Sequence, residues 1–203
     1  IGYGYNVAIE KVADELAVPQ YRFDQAERRY KDLGEFLHRD ESKVRDYDPD
    51  VYIQGSFALG TPIKPTSKDE DYDLDIVVSF RSRDARGIKN EVGESRRCCT
   101  LIYADGAQFH MDVLPAVPNE ANMRFVLSSY LADQALAEGA IAITDSDKTS
   151  TYGIITDDWP RSNPRGFAAW FKSKQIKQLN ERRRAFLDAQ GKVTASVEDV
   201  PVF

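Results

Sequence analysis

Acidic residues crowd the start of a strand-like run in the segment EDYDLDIVV, residues 70–78. The run ends in IVV, which is apolar and β-branched as in a buried strand, yet aspartate is a poor strand residue. The four acids are Glu70, Asp71, Asp73 and Asp75. Because a carboxylate beside a buried sheet is costly unless its charge is compensated, the segment predicts a strand that carries a charged site.

Composition limits the class of protein. The 203 residues are enough for one large domain or for a domain with part of another. A content of 42% apolar and 30% charged residues is usual for a soluble globular protein. The formal net charge of -6 argues against a chain that coats nucleic acid, so nucleic acid is not an expected partner.

Cysteine content and hydropathy predict a cytoplasmic protein. Cys98 and Cys99 are adjacent, and two neighbouring cysteines make neither a disulfide framework nor a zinc site. No apolar run reaches membrane-spanning length and the first residues lack a secretory pattern, so no membrane partner is predicted.

Periodicity predicts the secondary structure. One apolar stripe, at helical spacing, is formed by Ala26, Tyr30, Leu33 and Leu37. Helices are predicted over 7–18, 21–37, 123–138 and 168–189, with one helical turn at 57–60. Strands are predicted at 51–53, in the acidic segment, and in a hairpin that joins 101–103 to 109–114 through a turn at 104–108. Loops are predicted over 39–50 and 146–167. The expected fold class is α/β (α+β), a small mixed, twisted sheet with helices packed on it.

Alternation along the strands predicts where the acids meet. Asp73 and Asp75 point to one face of their strand. On the return strand of the hairpin, His110 and Asp112 share a face. If these strands are neighbours, Asp112 lies beside the Asp73–Asp75 pair. Three carboxylates on one sheet face repel each other, and hard divalent cations such as Mg²⁺ or Mn²⁺ make such a cluster tolerable.

A Gly-Ser turn precedes the acidic strand. Gly55 lets the backbone approach a ligand closely, and Ser56 adds a hydroxyl group beside backbone N–H groups that can face an anion. Gly-Ser, then paired acids on one strand, then an acid on another strand is the order of a phosphoryl-transfer site with two metal ions. An EF-hand is excluded, because its loop requires Gly and Glu where this chain has Ile76 and Ser82.

Three motifs, GSFALGT, DYDLDIVV and FHMDVLPAVP, resemble those of the DNA polymerase β-like nucleotidyltransferases. More narrowly, they are similar to those of the bacterial cGAS/DncV-like nucleotidyltransferases, the CD-NTases. The segment AITDSDKTSTYGIITDDWPRSNPRGFAAWF is typical of some of these enzymes and favours the bacterial signalling branch. The resemblance extends over roughly residues 20–175.

The resemblance implies an activity and a set of site residues. The Gln54–Ser56 segment would hold the donor triphosphate. Asp73, Asp75 and Asp112 would be the catalytic residues and the ligands of two Mg²⁺ ions, for which Mn²⁺ can substitute. The reaction would be synthesis of a cyclic di- or trinucleotide from ATP and/or GTP with release of pyrophosphate. The product would act on a downstream effector protein in anti-phage signalling.

The resemblance also implies a domain organisation. Residues 1–40 would be N-terminal helices packing on the catalytic lobe, and residues 41–165 would be the nucleotidyltransferase core. Residues 166–203 would be a helix and the truncated start of a C-terminal helical lobe. Residues 81–97 are fewer than family members usually carry between the Asp-x-Asp strand and the third-Asp hairpin.

Two alternative functions stay open. One is a nucleotidyltransferase that acts on an RNA end, a small molecule or a protein. The other is a non-catalytic nucleotide-binding regulatory subunit, although such a binder does not need all three carboxylates.

The remaining features are interpreted structurally. His110 is expected to be a packed strand histidine that could touch substrate. Trp159, Trp170 and Phe171 are expected to pack within their lobe, and the basic run 172–184 is expected to be a solvated helix face.

Overall fold

The computed structural model describes the backbone of residues 2–67, 70–81, 97–102, 109–152, 154, 156 and 158–189. The chain divides into two compact units, Ile1–Gly166 and Phe167–Phe203. All predicted site residues belong to the first unit. The division of the chain at residues 40 and 165 stays a prediction, and the predicted hairpin turn 104–108 lies outside the described residues.

Six strands form one mixed sheet in the described part of the first unit, in the order β1–β2–β4–β5–β6, with β3 also paired to β4. The strands are β1 Pro49–Ile53, β2 Tyr72–Phe80, β3 Cys99–Ile102, β4 Phe109–Pro118, β5 Ile141–Ile143 and β6 Arg161–Ser162. β2 and β4 run parallel, and the other pairs are antiparallel. The predicted mixed sheet is confirmed, as is the antiparallel pairing of the two hairpin strands.

Helices account for most of the remaining described chain. They are α1 Gly2–Leu16, α2 Gln20–His38, α3 Gly55–Leu59, α4 Glu120–Ser129, α5 Thr149–Tyr152 and α6 Pro164–Ala189, with 3₁₀ turns at Arg45–Tyr47 and Gln134–Ala137. No described helix combines the length and the apolar composition that a bilayer span requires.

One face of the sheet is covered by α2. The buried side chains of this face alternate along β2 and β4, and they include Leu74, Ile76 and Met111, none of which is exposed. The predicted stripe of α2 packs there: Ala26 is buried in this cluster, and Tyr30, Leu33 and Leu37 lie against it. The alternation of β2 therefore sends every second residue to the helix side and leaves Asp73 and Asp75 on the other face.

The other face of the sheet carries a smaller apolar cluster, towards the C-terminal ends of β2 and β4. Its buried members are Val77, Leu114, Ala116, Ile141 and Ile143. The carboxylates precede this cluster along β2 and β4, so the charged site occupies the N-terminal ends of both strands.

Two predicted boundaries near the N-terminus are wrong. α1 begins at Gly2 and ends at Leu16, whereas the prediction was 7–18. β1 begins at Pro49, a residue that was predicted to be in a loop. Proline is compatible with this place because it is the first residue of an edge strand, where its missing N–H costs little.

The predicted helix 123–138 is two separate elements. α4 spans Glu120–Ser129, and the chain then turns through Leu131 at φ 51° before the 3₁₀ turn Gln134–Ala137. The N–H of Ala132 donates to the carbonyl of Leu127 at 3.0 Å, which closes the end of the helix. A left-handed residue ends a helix in this way.

The predicted loop 146–167 contains α5, β6 and the start of α6. α6 begins at Pro164, four residues before the predicted start at 168. Asn163 caps this helix, because its Oδ1 accepts from the N–H of Gly166 at 2.8 Å. Asparagine followed by proline is a favourable N-cap and first helical residue.

Leu74→Ala tests the buried face of β2. We expect it to lower the free energy of unfolding by about 2–5 kcal/mol, because it opens a cavity in a close-packed cluster. The matched control is Leu131→Ala, since Leu131 is 96% exposed and should change this free energy by about 0.5 kcal/mol or less. Urea denaturation of both variants is the measurement, and equal effects would contradict the described core.

Candidate active site

The predicted site residues lie in two rows across β3, β4 and β2. Asp75 pairs directly with Asp112, and Thr100 pairs with Asp112 from the other side. Two residues along, Asp73 pairs directly with His110. The condition on which the sequence prediction depended, that the two acidic strands are neighbours, is therefore met.

Possible metal-ligand atoms from the two rows lie close together. Asp73, His110 and Asp112 each offer one ligand atom, and these three atoms lie within 4.8 Å of one another. His110 Nε2 is 3.2 Å from Asp73 Oδ1. Thr100 Oγ1 donates to Asp112 Oδ1 at 2.5 Å. One oxygen of Asp73 and one oxygen of Asp112 thus already contact a neighbouring side chain.

Asp75 lies against Gly55, where α3 begins. Gly55 has φ 63°, and a Cβ atom added to it would overlap Asp75 Oδ2 and lie 2.9 Å from Asp75 Cγ. The backbone joins the same two elements, because the N–H of Gln54 donates to the carbonyl of Asp75 at 2.9 Å. Glycine is required at 55 both for its backbone conformation and for the space that the carboxylate fills.

The electrostatics of the cluster are unfavourable without a cation. Burial, together with the charges of Asp73 and Asp112, raises the pKa of Asp75 to about 6, while His110 opposes the shift. A half-buried carboxylate between two others holds its proton unusually well because ionisation adds a third negative charge to one sheet face.

These residues fit a divalent cation. The donor set is two carboxylates and an imidazole whose ligand atoms lie within 4.8 Å of one another, and Asp75 adds a further carboxylate beside them. Carboxylate oxygens suit Mg²⁺ and Mn²⁺, and an imidazole is compatible with Mn²⁺. The convergent set contains His110 and lacks Asp75, whereas the predicted ligands were Asp73, Asp75 and Asp112. The ligand role of Asp75 stays a prediction.

The predicted Gly-Ser turn is the first turn of α3, a helix of five residues. The carbonyl of Ser56 accepts from the N–H of Thr61 at 2.9 Å, which folds the following segment back. Ser56 and Asp73 line a cavity of about 270 Å³, and Lys64 and Thr66 lie on its walls. Gly55 and Ser56 are therefore adjacent to the acidic cluster, as the motif order predicted, and the triphosphate role of Gln54, Gly55 and Ser56 stays a prediction.

Two residues of the site were not assigned from the sequence. His110 shares the strand face of Asp112, and this alternation could have placed it in the cluster, although a packed histidine was the preferred interpretation. Thr100 gave no signal, because the predicted turn at 104–108 does not by itself fix the register that pairs Thr100 with Asp112.

The aromatic residues and the basic run that were predicted to have packing or surface roles are not part of the acidic cluster. Trp159 is buried with Val117 and Ala142, and its Nε1 donates to the carbonyl of Thr151 at 2.8 Å, so its predicted packing role is confirmed. In the second unit, Trp170 is half-exposed and lies 5.6 Å from the ring of Phe167. Residues 172–178 of the predicted basic face are exposed, and the side chains of 179–184 lie outside the described residues.

Comparison with known proteins finds similar nucleotidyltransferases. Residues 49–92 match the family model for the nucleotidyltransferase domain of DncV-like cyclic GMP-AMP synthases. A c-di-GMP synthase of Roseivirga ehrenbergii is 26% identical over 181 residues, which is 80% of this chain and 42% of the relative. A cyclic GMP-AMP synthase of Escherichia albertii is 28% identical, over 74% of this chain and 33% of the relative. The chain thus spans less than half the length of these curated relatives.

A solved structure shares the fold. The CD-NTase CdnG of Bradyrhizobium diazoefficiens, in complex with GTP, superposes with a TM-score of 0.57 and 22% identity, over 93% of this chain and 54% of that structure. The motifs, the mixed sheet with its facing carboxylates, and these matches agree. The chain is similar to the bacterial CD-NTases and shares their fold.

Proposed function

We propose that this chain contains the catalytic centre of a Mg²⁺-dependent nucleotidyltransferase that makes a cyclic di- or trinucleotide from ATP and/or GTP. The observation that carries the proposal is the direct cross-strand pairing of Asp75 with Asp112, beside Asp73 and next to Gly55. This juxtaposition concentrates negative charge where a metal-bound triphosphate would be held.

Each part of the site has a role in this proposal. The backbone around Gly55 and Ser56 holds the donor triphosphate, and Asp73, Asp75 and Asp112 hold the cations. When bound, Mg²⁺ supplies charge stabilisation at the α-phosphate and lowers the pKa of the attacking hydroxyl group. The attacking ribose hydroxyl group would lose its proton to solvent as its oxygen forms a bond to the α-phosphorus, and the bond between that phosphorus and the leaving pyrophosphate would break. The protein therefore acts mainly by positioning the reactants and stabilising charge, and takes little part in bond making itself.

The choice of product and substrate rests on the relatives. Two of them are named for cyclic dinucleotide products, and the CdnG structure contains GTP. A role in anti-phage signalling, a cytoplasmic location and a downstream effector protein that binds the product belong to the same proposal.

A product assay tests the proposed reaction. The protein is incubated with all four nucleoside triphosphates and Mg²⁺ or Mn²⁺, treated with phosphatase, and analysed by mass spectrometry. We expect a phosphatase-resistant cyclic product from the parent protein. Its rate of formation should fall by at least about 100-fold in the double variant Asp73→Asn/Asp75→Asn, because each substitution removes charge that the transition state requires. Removal of the metal with EDTA should abolish the product as well.

Other outcomes would redirect the function. Linear or tailed products would favour an enzyme acting on an RNA end or another acceptor. Nucleotide binding that depends on metal, with no product and no effect of the double variant, would indicate a regulatory subunit.

Gly55→Ala and Gly60→Ala form a matched pair. Both glycines have positive φ, so each substitution should cost on the order of 1 kcal/mol of stability from backbone strain. A Cβ at 60 meets nothing within 4 Å, whereas a Cβ at 55 meets the Asp75 carboxylate. We therefore expect Gly55→Ala to lose most of the activity and Gly60→Ala to keep it, as measured by initial rates of product formation. Equal losses would mean that the Gly55–Asp75 contact has no functional role.

Asp75→Asn tests the electrostatic strain of the metal-free site. The pKa of Asp75 is raised from 3.8 to about 6 in the folded protein, so its ionisation destabilises the fold fully above pH 6 and not at all below pH 3.8. Removing the charge should stabilise the protein at pH 7.5 by on the order of 1 kcal/mol, after allowing for solvent screening, or about 2–4 °C in Tm. The gain should be smaller at pH 4.5.

Thermal melts in EDTA at both pH values are the measurement. Asp71→Asn is the control, because Asp71 is an exposed acid just before the same strand. A stabilisation of Asp75→Asn that does not depend on pH would contradict the assigned cause.

A further inference from the structure

Thr100 contacts the cluster of Asp73, His110 and Asp112 from β3, a strand that has no role in the proposed mechanism. It lies on β3, directly across from Asp112, and its hydroxyl group donates to Asp112 Oδ1 at 2.5 Å. Asp112 is the central residue of the row Thr100–Asp112–Asp75, so it has a hydroxyl donor on one side and a carboxylate on the other.

This hydrogen bond selects one orientation of the carboxylate. An aspartate on a partly exposed strand can rotate about its side-chain bonds, and repulsion from Asp75 favours orientations that turn it away. A donor fixed on the neighbouring strand holds Oδ1 on the β3 side. The other oxygen is then left for a cation, with less rotational freedom to lose when the cation binds.

β3 is anchored independently of this contact. Arg97, just before the strand, donates from Nε and Nη2 to Asp145 Oδ2 at 3.0 and 2.9 Å. Asp145 is buried, two residues after β5, and its Oδ1 accepts from the N–H of Asp147 at 3.1 Å. Because β3 and β5 pair with successive parts of β4, this ion pair joins the two strands where they approach each other. Thr100 is therefore presented from a strand held at its start.

We propose that Thr100 is a positioning residue for the metal site, and that its hydroxyl group sets the orientation in which Asp112 binds a divalent cation. The inference rests on the proposed function, because it assumes that Asp112 is a metal ligand. It assigns a role to β3 that the three-aspartate motif does not contain.

Thr100→Val and Thr100→Ser separate the hydroxyl group from the side-chain shape. Valine keeps the β-branched shape that suits a strand and removes the donor, whereas serine keeps the donor. Mn²⁺ binding is measured by electron paramagnetic resonance on the protein without nucleotide. We expect the Kd for Mn²⁺ to rise about 10-fold or more in Thr100→Val and to stay within about threefold of the parent in Thr100→Ser. Asp112→Asn provides the reference for a lost ligand.

A melting curve of each metal-free variant completes the test. The Tm of Thr100→Val should stay within about 2 °C of the parent, because an exposed surface position contributes little to stability. Unchanged Mn²⁺ affinity in Thr100→Val would overturn the inference. A large fall in its Tm would also overturn it, since the effect would then be loss of β3.

The test distinguishes this inference from the proposed function. Weaker Mn²⁺ binding in Thr100→Val, together with a parent protein that makes no nucleotide product, would support the positioning role and contradict the proposed reaction. A parent protein that binds no Mn²⁺ at this site would overturn both.

Discussion

The parallel pairing of β2 with β4 is the constraint on which the site depends. Neighbouring strands are about 4.8 Å apart, so residues opposite each other cannot avoid interacting. The register that puts Leu74 opposite Met111 in the core also puts Asp75 opposite Asp112 on the other face. A slip by one residue would expose the apolar set and bury the acids. Burial of one face under α2 thereby holds together charges that repel each other on the opposite face.

The cost of this arrangement is local. Asp75 is kept beside Asp112 by its strand and is accommodated by Gly55, whose conformation few other residues adopt. His110 contacts one oxygen of Asp73 and Thr100 one oxygen of Asp112, and His110 offsets only part of the repulsion around Asp75. A site that is unfavourable when empty binds cations more strongly, because the cation removes a repulsion as well as making new bonds. Rules of local stability are commonly broken at functional sites for this reason.

The sequence was informative where chemistry and periodicity coincide. Asp73, Asp75 and Asp112 were identified because strand alternation is local and the motif order is distinctive. Thr100 was not assigned, because its partner depends on strand register, which residue types do not specify. His110 shares the strand face of Asp112 but was interpreted as a packed histidine. The break at Leu131 was missed because a non-glycine residue rarely adopts positive φ, so the apolar pattern of 123–138 read as one helix. The helix start at Asn163 was also missed, although the sequence contains its signal, because asparagine before proline is a recognised helix start.

Anomalous diffraction from crystals of the protein grown with Mn²⁺ would test directly whether the facing carboxylates bind a cation. We expect a strong anomalous peak held by oxygen atoms of Asp73 and Asp112, at close to the roughly 2.1 Å that Mg²⁺–oxygen bonds have. The same peak should be absent in crystals of Asp112→Asn. An empty cluster at millimolar Mn²⁺, or a peak that persists without the Asp112 carboxylate, would contradict the claim that facing carboxylates on β2 and β4 form the metal site.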